Sequence, residues 1–273
     1  RELSSLFPQM PALPNEAGVV LKVSDLLLPG SSKSSSFELR KGEVLGFSGL
    51  VGSGRTALME TVVGLRKAAK ANCGTIEVRG ERVNFKQLSS ARDKGIAYLT
   101  KDRKGSGLLL EKGLSFNFSL FSLHKISRLL IDTRSEAIAF EKAIETFDIR
   151  MKDKSIVAGN LSGGNQQKLL LAKILEAQPS IIIIDEPTRG IDIGTKSQIY
   201  RFIAHLIASG HSLILISSDI TEIIGLSHRV AVMYHGELSG VLEGDELDEH
   251  EIMRYATGLK SKSQNNKLQK NKS

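Results

Sequence analysis

The feature that most constrains this chain is the string Leu161-Ser162-Gly163-Gly164-Asn165-Gln166-Gln167-Lys168. A glycine pair that opens a polar-then-apolar helix presents backbone N–H groups at a helix N-terminus, where an anion is favoured. Twenty-three residues after Ser162, the apolar run from Ile181 to Ile184 ends in Asp185-Glu186-Pro187-Thr188. Such a β-branched run reads as a buried strand with two carboxylates at its tip. Upstream, Gly49-Leu50-Val51-Gly52-Ser53-Gly54-Arg55-Thr56 fits the phosphate-cradling loop G-x-x-x-x-G-K-[ST] at every fixed position but one, with Arg55 where Lys is expected. Three phosphate-related elements in this order are far more specific than any one of them.

The 273 residues suffice for one large domain with a lobe, and a hydrophobic fraction of 41% supports a packed core. The net charge of +7 suggests nucleic acid as a partner, but Lys260, Lys262, Lys267, Lys270 and Lys272 carry five of those charges with no opposing acid, leaving +2 elsewhere. The expectation is therefore no nucleic-acid partner. A single cysteine, Cys73, excludes an intrachain disulfide and a cysteine-built metal site, and it points to a reducing compartment. No apolar run approaches the roughly 18 residues that span a bilayer, and the start Arg1-Glu2-Leu3 carries no secretory pattern.

The expected organisation is a linker over 1–17, broken by Pro8, Pro11 and Pro14, a domain over 18–259, and a disordered basic tail over 260–273. Strands are expected at Val19 to Val23, Phe37 to Arg40, Glu43 to Phe47, Thr75 to Val78, Ile96 to Leu99 and Leu213 to Ile216, with a hairpin around His235-Gly236. Helices are expected from Thr56 to Val63, with Gly64 closing it, from Thr195 to Ala208, and from Thr221 to Leu226. Between them, about 107–160 reads as a helical lobe, on the stripe Phe140, Ile144, Phe147 and a cluster of Phe116, Phe118, Phe121 and Leu123. That cluster is either lobe core or an exposed docking face. Strands alternating with helices imply an α/β fold with a largely parallel sheet and an antiparallel patch.

Gly49, Gly52 and Gly54 can take positive φ at no steric cost, so successive N–H groups of the loop turn towards phosphate oxygens. Thr56 then offers a hydroxyl, and Asp185 a carboxylate, to Mg²⁺. Glu186 is placed to orient or deprotonate an attacking water. The competing readings are a Gly-rich turn, a strand-end acid pair that caps a helix, and a plain Ser-capped helix at Ser162. The acid pair loses that alternative if the phosphate loop lies on the neighbouring strand. Arg55 is not a neutral exchange, because its forked guanidinium cannot fit between phosphates as a compact ammonium does. Nucleotide binding is expected to survive it and hydrolysis to suffer.

Together these residues resemble the nucleotide-binding domain of an ATP-binding cassette (ABC) transporter, over about Val19 to Tyr255. The resemblance is nearest to the second, C-terminal cassette of the tandem ATPases that energise bacterial monosaccharide importers of the ribose and autoinducer-2 type. It is carried by the loop above, Asp102-Arg103-Lys104 with Gly107-Leu108, Glu186-Pro187-Thr188-Arg189-Gly190-Ile191-Asp192, and Ile216-Ser217-Ser218-Asp219. It implies a P-loop fold of ABC type, with ATP and Mg²⁺ as cofactors. It also implies that Ser162, Gly163 and Gly164 reach the γ-phosphate held by a partner cassette. Expected partners are an N-terminal cassette of the same chain (or a second copy of this one), transmembrane permease subunits and, indirectly, a periplasmic sugar-binding protein. The expected location is the cytoplasmic face of the bacterial inner membrane.

Several family positions depart. Lys101 stands where a water-orienting Gln is usual, or an acid in this group. Ser218 stands at the switch histidine, and no aromatic in Leu26 to Ser36 can stack on adenine. His228 and His235 are read as structural or solvated, and Asp192 as a contact to the partner. The resemblance thus implies a weakened home pocket and an intact Ser-Gly-Gly edge, in a segment of a longer tandem chain. Two other functions compete: a regulatory nucleotide-binding module that does not hydrolyse, and an ABC ATPase unconnected with transport.

Overall fold

The computed structural model describes residues 6–14, 16–69, 74–121, 133–151, 153 and 155–261. Cys73, Leu123 and the tail lysines beyond Lys260 lie outside them. A six-stranded sheet has the order β10(Glu237–Glu243), β9(Arg229–Tyr234), β3(Val44–Gly49), β8(Ser212–Ile216), β7(Ile181–Asp185), β6(Ile96–Leu99). It is parallel throughout except for the β9–β10 hairpin. A second, antiparallel sheet has the order β2(Ser35–Arg40), β1(Val19–Leu26), β4(Thr75–Val78), β5(Glu81–Val83). The α/β architecture with an antiparallel patch is as the sequence implied.

The isoleucines of β7 explain why its run does not alternate with polar residues. Ile182 and Ile184 enter one apolar cluster with the helical lobe, while Ile181 and Ile183 enter the other with Phe47, Ile214 and Ile216. Both faces are dry, as a parallel sheet covered on two sides requires, and each fully buried isoleucine contributes on the order of 1.5–3 kcal/mol. One expectation is corrected here. β8 lies between β3 and β7, so the phosphate loop and Asp185 sit on next-but-one strands, not on neighbours.

The described residues before Val19 form no regular element, as the prolines predict, yet they are not a free linker. Phe7 stacks on Tyr200 with centroids 4.9 Å apart, and Pro11 O accepts from His228 Nε2 at 2.8 Å. His228 Nδ1 accepts from Val44 N–H at 2.9 Å, so His228 is structural. In the lobe, helices run over Leu114–Ser119 and Thr133–Thr146. Phe118 is buried against Phe140, whereas Phe116 is 49% exposed, so the phenylalanine cluster divides between core and surface. A helix over Glu249–Ala256, capped by Asp248, closes the described chain and was not expected; Lys260 folds back onto Glu251 at 2.7 Å.

Candidate nucleotide site

Because β3, β6, β7 and β8 are parallel, their C-terminal ends share one edge, and the loops that follow converge there. Gly49, Gly52 and Gly54 have φ of 148°, 85° and 99°. Leu50 and Val51 are exposed at the loop's crest, while Ser53 is buried beneath it. The β9–β10 turn, with His235 and Gly236 both at positive φ, braces this loop: Gly236 N–H donates to Ser53 O at 2.9 Å. A Cβ on Gly49 would stand 2.4 Å from Met233 O, and one on Gly54 3.1 Å from Gly236 Cα. The glycines therefore answer to the hairpin as well as to φ, a packing reason that no local pattern reveals.

The loop opens into the helix Arg55–Val62. Arg55 does not point along the loop. Its guanidinium is buried and donates from Nη1 to Ser217 O, just past β8. Burial pulls its pKa down, opposed by the charges of Glu186 and Asp185. Asp185 is fully buried, with Oδ2 accepting from Tyr98 OH at 3.1 Å and Oδ1 lacking a hydrogen-bond partner among the described residues. Burial pushes its carboxyl pKa up, against hydrogen bonds from Thr56 and Tyr98 and the charge of Lys101. Glu186 has φ +52°, and its N–H donates to Ile216 O at 2.8 Å, which fixes the strained turn. Ser218 Oγ donates to Glu186 Oε2 at 3.0 Å, so the switch position and the candidate base touch.

Thr56 and Asp185 come together as expected of a Mg²⁺ pair, and the bare Asp185 Oδ1 is the kind of atom a metal or its water would satisfy. The third group does not fit. Lys101 Nζ lies 3.3 Å from Thr56 Oγ1, so an ammonium already faces the oxygen that a second cation would need. As arranged, these residues do not suit Mg²⁺.

Behind this edge runs a buried polar relay that sequence reasoning missed. Ser217 Oγ and Thr188 Oγ1 both donate to Glu222 Oε2, at 2.7 and 2.9 Å. It joins the segment after β8 to the turn after Glu186. Its members are 5 and 34 residues apart, so only the fold brings them together.

The Ser162–Gly164 edge lies apart from these groups. Ser162 is exposed and caps the helix Gly163–Leu175, its Oγ accepting from Asn165 N–H and Nδ2 at 3.4 and 3.0 Å. Gly163 faces Gly190 O and the Arg103 guanidinium, and Gly164 lies against Thr195. The rest of the string turns inward. Gln166 Nε2 donates to Ala158 O and Leu161 O, both at 3.2 Å, and Lys168 Nζ donates to Asp148 O at 2.7 Å. Those side chains tie the lobe to the core and leave Ser162 exposed and Gly163 half-exposed, with Gly164 buried behind them. Asp192 accepts from Thr195 N–H at 2.9 Å and caps the helix Ile193–Ala208.

A parallel sheet with a phosphate loop, a strand-end acid pair and a Ser-Gly-Gly helix start defines an ABC-type nucleotide-binding domain. The family model described as ABC transporter matches residues 32–189, and the chain belongs to that family of ATP-binding domains. It is 40% identical over 259 residues to the ribose import ATP-binding protein RbsA of Halalkalibacterium halodurans, covering 94% of this chain and 51% of that protein. It is 40% identical over 261 residues to the galactose/methyl galactoside import ATP-binding protein MglA of Clostridium tetani, with 94% and 51% covered. The chain spans about half the length of these relatives. Among solved structures, a nucleotide-free ATP-binding cassette from an ABC transporter superposes with TM-score 0.73 at 20% identity, over 86% of this chain and 96% of that one. A dimeric, post-hydrolysis cassette bound to ADP and Pi gives 0.70 at 18%, over 82% and 98%.

Proposed function

We propose that this domain is one half of the ATP-driven motor of a sugar importer, acting as the second, C-terminal cassette of a tandem ATPase. Its relatives at 40% identity are named for ribose and galactoside import and are about twice its length. In this reading the Ser162–Gly164 edge completes the better catalytic site, on the partner cassette. The home pocket holds ATP on the Gly49–Thr56 loop and turns it over weakly, with Glu186 as its residual base. The substrate is a monosaccharide or sugar-like solute. The assembly sits peripherally on permease subunits at the cytoplasmic face of the membrane, and the exposed Phe116 of the lobe touches them. No described helix is long and apolar enough to cross a membrane.

The observation that carries this reading is the inequality of the two faces. Arg55 is turned away onto Ser217 O, whereas Ser162 stands exposed at the start of an intact helix. The same withdrawal of Arg55 favours a second reading, a nucleotide-binding module without turnover; the Glu186–Ser218 contact favours catalysis. Steady-state ATP hydrolysis by the two-cassette protein separates them. Ser162→Trp is expected to cut turnover at least tenfold, and Glu186→Gln to cut it less than twofold. If neither substitution changes the rate, the motor reading fails.

A further inference from the structure

Lys101 leaves β6 two residues beyond the last paired position, Leu99↔Ile184, and so emerges beside the tip of β7. Its side chain is exposed and reaches across to the phosphate loop, 3.3 Å from Thr56 Oγ1. Thr56 is the hydroxyl that would ligate a divalent ion in such a loop, at about 2.0–2.1 Å from it. An ammonium and a dication cannot share that oxygen without strong repulsion. Meanwhile the loop's own cation, Arg55, is bound to Ser217 O and cannot lie between phosphates. One compact ammonium therefore faces the hydroxyl on which a metal would otherwise sit, in a loop whose own cation is turned away.

We propose that Lys101 is the built-in cation of this pocket, so that it takes a nucleoside triphosphate without a divalent metal. Mg²⁺ normally bridges phosphate oxygens and neutralises them. A tethered ammonium neutralises less charge but is already in place. The pocket then holds triphosphate without the ion that positions it for attack, which suits a static site. The inference rests on the Gly49–Thr56 loop being a nucleotide site, and the test keeps the two apart.

The experiment measures equilibrium binding of fluorescent ATP to the purified chain with Mg²⁺ and with EDTA, for wild type, Lys101→Gln and Lys101→Glu. Lys101 is exposed, so both variants keep the packing of the core. Wild-type affinity should agree within about twofold in the two buffers. Each variant should lose about tenfold in EDTA, or about 1.4 kcal/mol, and recover it with Mg²⁺. With Mn²⁺ as probe, electron paramagnetic resonance should show an immobilised ion in ATP-loaded Lys101→Gln and none in wild type. A tenfold loss by wild type in EDTA, or immobilised Mn²⁺ in wild type, overturns the role of Lys101 while leaving the nucleotide site standing. No ATP binding in either buffer overturns both.

Discussion

Gly164 has no room for a side chain: a Cβ there would stand 2.8 Å from both Cγ2 and Oγ1 of Thr195. Thr195 is β-branched and its hydroxyl is bound to Asp192 at 2.7 Å, so it cannot swing aside freely. Alanine in the first turn of a helix normally stabilises it. Here Gly164→Ala should instead cost about 1–3 kcal/mol through overcrowding, read as a lower Tm. At Glu222 the relevant force is burial, which pushes the carboxyl up to about 7 from an ordinary 4.5, against hydrogen bonds from Ser217 and Thr188. Between those values the folded chain holds a proton that the unfolded chain has released. Glu222 therefore stabilises the fold fully below about pH 4.5, and that stability, at most about 3 kcal/mol, is lost as pH rises through 7. Thermal unfolding of wild type and Glu222→Gln from pH 5 to pH 8 should show wild type falling relative to the variant. A constant difference contradicts the assignment.

At the scale of elements, a buried ion pair helps to join the two sheets. Glu43, fully buried between β2 and β3, accepts from Arg229 Nε at 2.6 Å and from Arg40 N–H at 2.6 Å, while Arg229 Nη2 also donates to Glu38 O. Arg229→Met strands a buried carboxylate and should cost about 3–5 kcal/mol in denaturant unfolding. The double change with Glu43→Leu should recover much of that. Similarly, Gln166→Ala removes the side chain that donates to Ala158 O and Leu161 O, at about 1–3 kcal/mol. Faster hydrogen exchange confined to residues 107–160 is the expected signature. What the sequence made legible at this scale follows from physical cause. The loop glycines, the β7 isoleucines and the Asp248-type caps are local signals, although the last was overlooked with its helix. The place of β8 between β3 and β7 depends on crossovers that no periodicity encodes. The Lys101–Thr56 contact joins residues 45 apart and required the fold.

Taken whole, the molecule presents two faces of different quality: a pocket whose arginine is withdrawn and whose metal position faces an ammonium, and a helix start whose serine is exposed and whose first glycine is half-exposed. The described residues around Phe7 and Pro11 belong to the same body, since they pack on Tyr200 and His228. Removing residues 1–12 should therefore destabilise the fold, by less than the roughly 1.5–3 kcal/mol that full burial of one aromatic supplies because Phe7 is half-buried, read as a lower Tm; a free linker would leave it unchanged. The central claim is that the pocket of this chain retains ATP while its outer edge serves another. Its most direct test is a single-turnover experiment on the two-cassette protein loaded with ATP at both sites, quenched after one burst, with bound nucleotide identified and assigned by photolabelling. The account predicts ADP on the partner cassette and intact ATP on Gly49–Thr56 of this one. ADP appearing on both at the same rate would contradict it.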